Sequence, residues 1–201
     1  MAANKVTYAR QDELPKLAVP SLEESCEKFL VSLAPLQTPE QHAHTQRVVE
    51  RFLQNEGPQM QKELLAYAET QKAANTNIIG TVGYCMSGRY AVNAATHFGD
   101  RVKAAASIYG THLATDQPDS PHLAANKTKA ELYFACAETD IYAPQEIIEQ
   151  VKAGMKGSNN EVEIYPGTHH GFAFPKRPVY DRDAAERHWE RLLALYRRNL
   201  V

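Results

Sequence analysis

From residue 77 onward the hydrophobic positions follow two alternating periods. "NIIGTVGY" (77–84), "VKAAASIYG" (102–110) and "ELYFACAET" (131–139) are short apolar runs of strand length, and "EVEIYPG" (161–167) alternates as a half-covered strand does. Between and after them, "SGRYAVNAATHFG" (87–99), "APQEIIEQVKAGMKG" (143–157) and "DRDAAERHWERLLALYRRNL" (181–200) carry helical spacing, the last with Ala185, Trp189, Leu192 and Tyr196 on one face. Strands that alternate with helices must be joined by crossovers, so they predict a parallel sheet of about four strands with flanking helices.

The first part of the chain has a different texture and reads as all helix. Ser21 and Glu24 form a capping box, after which Leu22, Cys26, Phe29 and Leu33 share a face until Pro35. Thr38, Pro39 and Gln41 start a second helix with Val48, Val49 and Phe52 as its stripe; Gly57 is expected to end it. Met60, Leu64 and Tyr67 mark a third, and "LPKLAVPSL" upstream is an extended, proline-punctuated arm. The change of texture near 71–77 divides the chain into a helical segment, 1–73, and an α/β part, 77–201.

Composition narrows the function. A chain of 201 residues can bury a real core. Its net charge of -2 offers no electrostatic case for nucleic acid or an anionic membrane, and no apolar run approaches a membrane span. The opening "MAANKVTYARQDELPK" has no apolar core of a secretory signal. The three cysteines, Cys26, Cys85 and Cys136, are widely spaced without a CxxC pair, which argues against a zinc site or a disulfide framework. A reduced, cytoplasmic protein without metal or organic cofactor is the expectation.

The chemistry concentrates at "GYCMSGRYA". A strand, a tight turn of small residues around a nucleophile, and a helix make a nucleophile elbow. Gly83, Ser87 and Gly88 are the small residues that such a turn requires, because strand and helix approach closely around a strained nucleophile. Cys85 is thereby placed at the positive end of a helix, which favours its thiolate, and the Met86 N–H is aimed where an oxyanion develops. Asp140 follows the strand "ELYFACAET", and His170 follows the last strand in "YPGTHHGFAF", where Pro166 and Gly167 are expected to open a loop. The order Cys85, Asp140, His170 is nucleophile, acid, base. His169 reads as a loop residue, and Arg89 and Tyr90 as packing or capping groups.

These residues resemble the dienelactone hydrolases. Over 77–200 the likeness rests on "GYCMSGRYA", "ETDIYAP" and "HGFAFPKRPVYDRDAAERHWERL". It implies a partial α/β-hydrolase fold and a cysteine hydrolase of small esters or lactones, with Cys85 attacking the carbonyl, His170 relaying protons and Asp140 orienting the imidazole. Ser87 stands where many members have glycine. The resemblance also implies further strands ahead of the elbow, whose loops supply a second oxyanion donor and a glutamate that engages the cysteine; nothing before Asn77 matches them.

Over about 14–69 the chain resembles instead the opening segment of carnitine and choline acyltransferases, through "LPKLAVPSL", "FLVSLAPL" and "TQRVVERF". Ala18 replaces a more usual proline. That family's catalytic histidine lies far beyond such a segment, so neither His42 nor His44 inherits a role. The two likenesses together read as a fusion or chimera of two family fragments. The alternative to a working hydrolase is therefore a catalytically incomplete fusion product or interaction scaffold. An elbow strand with an open outer edge is an invitation to pairing; helices from 21–70 covering it, or two copies meeting there in a homo-oligomer, are the expected remedies.

Overall fold

The computed structural model describes Glu40, Arg47, Arg51, residues 55–71 and residues 75–200. The chain divides into two compact units, residues 1–53 and residues 54–201. Of the first, the three described residues are all helical. The arm, the Ser21 and Thr38 caps, and the stripes predicted before Gly57 lie outside the described residues.

The second unit runs α1 (Gly57–Glu69), β1 (Ile79–Tyr84), α2 (Met86–His97), β2 (Val102–Ile108), β3 (Glu131–Thr139), α3 (Gln145–Met155), β4 (Glu161–His169) and α4 (Arg182–Asn199), with short 3-10 turns at Gly99–Arg101 and Pro121–Asn126. The four strands are all parallel and lie in the order β1-β2-β3-β4. This is the predicted parallel sheet with flanking helices.

Why the strands read as continuous apolar runs is now plain. In β2, Ala105 faces one layer while Ala104, Ala106 and Ile108 face the other; in β3, Leu132, Phe134 and Cys136 oppose Tyr133, Ala135 and Ala137. Both faces are covered, which removes the polar alternation of a half-exposed strand. On one side Val92, Ala94 and Ala95 of α2 pack with Ile148, Val151 and Met155 of α3; on the other, Ala184, Leu192 and Leu195 of α4 pack with Tyr165 and Phe172. The run of alanines in β2 leaves room for helices on both faces.

Four expectations need correction. Gly57 does not end a helix; it opens α1, directly after helical Asn55 and Glu56. Its hydrogen is needed because the Tyr90 ring occupies the space of a side chain, while Gln61 donates to the Tyr90 carbonyl. Trp189 lies 48% exposed at the margin of the α4 stripe, whose buried line runs Ala185, His188, Leu192, Leu195. Pro166 and Gly167 belong to β4 and open no loop: Gly167 adopts φ 71 at a register irregularity, and its N–H donates to Glu138 at 2.8 Å. For the same reason His169 is the last strand residue, and exposed.

Among the described residues β1 has one neighbour, β2, so the elbow strand is at the sheet's edge. Val82 in its middle is 40% exposed. The edge is closed at one point. The Tyr84 N–H donates to Ser87 Oγ at 2.8 Å, and that hydroxyl donates back to the Tyr84 carbonyl at 2.7 Å.

Candidate active site

The elbow is held in the geometry that its small residues predict. Cys85 adopts φ 56 and ψ -127, a conformation that costs a non-glycine residue on the order of 1–3 kcal/mol. Its surroundings over-determine it: the Cys85 N–H donates to the Ile108 carbonyl at 3.1 Å, and the Cys85 carbonyl accepts from Gly88 at 3.0 Å and from Thr111 at 3.1 Å. A Cβ on Gly83 would overlap the Ser87 carbonyl, and one on Gly88 would lie 2.9 Å from the Gly110 Cα. Ser87 is tolerated because its hydroxyl satisfies both polar groups of Tyr84.

Asp140 follows β3 and His170 follows β4, so both reach the same end of the sheet as the elbow. His170 Nδ1 and Asp140 Oδ2 are 2.7 Å apart, and the other carboxylate oxygen accepts from the Tyr142 N–H at 2.8 Å. This leaves Nε2 as the imidazole nitrogen not engaged by Asp140. It is buried and has no well-aligned hydrogen-bond partner, yet the Cys85 thiol is close enough for each group to shift the other's protonation. Such pairs commonly tighten only around a bound substrate.

The electrostatics favour the charged form of each group. Burial pulls the imidazolium of His170 down, but the Asp140 carboxylate and then the Cys85 thiolate outweigh it and raise the group to about 9. Burial likewise opposes the Cys85 thiolate, and is overcome by His170, by the Met86 N–H bonded to the sulfur, and by the charge of Arg177, so that the thiol is lowered. Cys136 goes the other way: buried in β3, it is pushed up to about 12. The two described thiols are thus shifted in opposite directions.

Further residues complete the surroundings that the sequence reading left unassigned. Tyr109 and Tyr142 pack edge-on against the His170 ring, with centroids 5.1 and 4.8 Å away. Tyr109 is 1% exposed, adopts φ 36, and its hydroxyl is buried without a hydrogen-bond partner. Tyr84 donates or accepts at His188 Nε2 across 3.1 Å. Position held the available signal, since Tyr109, Tyr142 and Arg177 all follow the carboxyl ends of parallel strands, where sheets of this kind bind ligands. Arg89 and Tyr90 are packing residues as expected; Arg89, 1% exposed, pairs with Asp119 at 2.6 Å. Among the described residues no cluster of His, Cys, Asp or Glu is placed to hold a metal ion, and no helix is long and apolar enough to cross a membrane.

A strand–turn–helix elbow, with an aspartate and a histidine after successive parallel strands, is an arrangement of the α/β-hydrolase fold. The model of the dienelactone hydrolase family matches residues 7–200, and the chain belongs to that family. A Synechocystis protein assigned as a carboxymethylenebutenolidase is 28% identical over 141 residues, 68% of this chain and 56% of its own length. An assigned carboxymethylenebutenolidase of Escherichia coli K12 is 29% identical over 120 residues, 57% of this chain and 44% of the relative. The chain thus spans about half the length of these relatives. A dienelactone hydrolase-like promiscuous phosphotriesterase from metagenomic libraries shares the fold with a TM-score of 0.64 at 16% identity, covering 78% of this chain and 68% of the other. A second likeness is short: bovine peroxisomal carnitine O-octanoyltransferase is 39% identical over 66 residues, 33% of this chain and 11% of the enzyme.

Proposed function

We propose that this protein is a cysteine hydrolase of small esters or lactones, acting through Cys85, His170 and Asp140. The observation that carries the reading is the His170 imidazole, bonded to Asp140 at 2.7 Å through Nδ1 while its buried Nε2 is left for the strained Cys85. The relatives assigned as carboxymethylenebutenolidases support the same class of substrate.

In the reaction, the Cys85 thiolate attacks the ester carbonyl carbon, and the carbonyl pair of electrons moves onto oxygen. The Met86 N–H stabilises that oxyanion, and the unpartnered Tyr109 hydroxyl is the described side chain suited to be a second donor. His170 Nε2–H then protonates the departing alkoxide as its C–O bond breaks, leaving a thioester on Cys85. Water, giving its proton to Nε2, attacks the thioester; the thiolate leaves and the acid is released. Asp140 holds Nδ1–H throughout and thereby fixes the tautomer that places the second nitrogen at the sulfur.

Residues 1–73 are read as a helical fragment related to the opening of carnitine acyltransferases, joined to the α/β part at 73–77, although its last helix, α1, belongs to the second compact unit. The short octanoyltransferase likeness supports this origin, although the dienelactone hydrolase model runs through the same segment from residue 7.

The test combines turnover with nucleophile chemistry. Hydrolysis of p-nitrophenyl acetate and of small lactones is expected in the full chain and abolished in C85A, with H170A losing at least a hundredfold. Iodoacetamide is expected to alkylate Cys85 well below the ordinary thiol range near about 8.5. A Cys85 that titrates as an ordinary thiol, with no ester or lactone turned over, would refute the proposal.

A further inference from the structure

The loop after β2 bounds a cavity that the reaction steps leave unused. It measures about 210 Å³ and is lined by Thr111, His112, Leu113, Ala114, Tyr142 and Ile147. Neither Cys85 nor His170 lines it, but two of its residues touch them. The Thr111 N–H holds the Cys85 carbonyl at 3.1 Å, and the Tyr142 ring lies against His170.

The wall is chemically quiet. Thr111 Oγ1 and His112 Nδ1 bond each other at 2.9 Å, and the His112 carbonyl accepts from Arg89 at 3.2 Å. The Thr115 N–H donates to Ser120 at 2.8 Å, and its hydroxyl accepts from Gln117 at 3.3 Å. Burial first, and then the Arg89 charge, hold the His112 imidazole low, so it is neutral near pH 7. Arg89 itself is spent on Asp119. No carboxylate lines the space. The remaining lining residues, Leu113, Ala114, Ile147 and Tyr142, make a surface suited to an apolar and uncharged group. His112 stands at φ 53, a left-handed conformation that costs a side-chain-bearing residue some strain.

We propose that this cavity is the acyl pocket and takes the unbranched, uncharged hydrocarbon chain of the substrate's acid. The volume equals about seven water-sized groups, which sets the chain at about five or six carbons. The acyl group is the part that remains on Cys85 after the alcohol departs, and the cavity is built on the loop that binds the Cys85 carbonyl. This inference rests on the hydrolase reading for the word acyl. The cavity's preference for an apolar chain beside Cys85 does not depend on turnover.

The test is therefore alkylation of Cys85 in the full chain by N-methyl, N-pentyl and N-dodecyl iodoacetamide, followed by peptide mass spectrometry. Each buried methylene favours the bound reagent by about threefold to fourfold. At subsaturating reagent, N-pentyl is expected to react at least tenfold faster than N-methyl, with no further gain for N-dodecyl. Ala114→Trp fills the cavity and is expected to bring the ratio of N-pentyl to N-methyl rates close to one; Ile147→Asn, also in the lining, is expected to do the same. An equal rate for all three reagents in the wild type overturns the pocket, as does a length preference that survives both substitutions. A variant whose buried Cys136 is alkylated as readily as Cys85 has not folded, and the wild-type ratio then decides. A length preference on a thiol with ordinary pH dependence would keep the pocket and sink the hydrolase; an activated thiol without preference does the reverse. In p-nitrophenyl esters, hexanoate is expected to exceed acetate about tenfold in kcat/KM.

Discussion

Replacing Asp140 by Asn tests the electrostatic core of the site with almost no change of shape. The carboxylate is 1% exposed and bonded to His170 Nδ1, and its second oxygen accepts from the Tyr142 N–H, a bond that an amide oxygen retains. The rise of His170 from 6.5 to about 9 corresponds to on the order of 3 kcal/mol in favour of the imidazolium. Burial works against that cation, and Asp140 makes the largest contribution in its favour. With the charge removed, the imidazole becomes neutral near pH 7, and the Cys85 thiolate loses the cation that most lowers it. If half of the effect reaches the sulfur, the rate of Cys85 alkylation at pH 6–7 falls about tenfold, and a hundredfold if nearly all of it does. The assay is the pH–rate profile of iodoacetamide labelling at Cys85, with Cys136 as the unreactive internal control, and NMR titration of the His170 ring alongside. A D140N profile that superimposes on the wild type, with His170 still titrating near 9, would refute the assignment of the ion pair.

Stability is expected to carry the same signature. In C85A, which removes the thiolate whose lowered titration offsets the effect, His170 is still raised by Asp140, so chemical denaturation should show stability falling as pH rises above 6.5, a fall absent in C85A/H170A. Because a Cβ at Gly83 would overlap backbone atoms of Ser87, G83A is expected to cost about 1–3 kcal/mol and to slow Cys85 alkylation, read by thermal melting and labelling. D119A strands the buried Arg89 charge and is expected to destabilise by about 3–5 kcal/mol in urea, whereas the double change R89M/D119A should recover most of the loss.

The parallel sheet was legible because its strands are apolar on both faces and its helices are not; period and length sufficed for β1, β2, β3 and α4. Cys85, Asp140 and His170 were legible because each follows a strand, and the structure brings all three to one end of the sheet. The rest depends on contacts that a pattern does not carry. Whether Gly57 ends a helix or opens one is decided by Tyr90, more than thirty residues away. The β4 strand continues through Pro166 and Gly167 because the Glu138 carboxylate of its neighbour takes the free N–H. The preference for His188 over Trp189 inside α4 follows from Tyr84, which offers the buried imidazole a partner. Tyr109 was unreadable for another reason: a tyrosine ending a strand is ordinary, and only its empty hydroxyl and its φ of 36 set it apart.

The hydroxyl of Ser87 bears on how this sheet meets other chains. Cys85 bonds inward to Ile108, so the N–H and carbonyl of Tyr84 point away from β2, and both are already engaged by Ser87. A foreign strand zipping along β1 would find its ladder available at Gly80 and Val82 and closed at Tyr84. Pairing would stop one rung short of Cys85. Growth of the sheet is thereby separated from obstruction of its chemistry: an incoming strand can lengthen the sheet sideways and still leave the mouth above Cys85 clear.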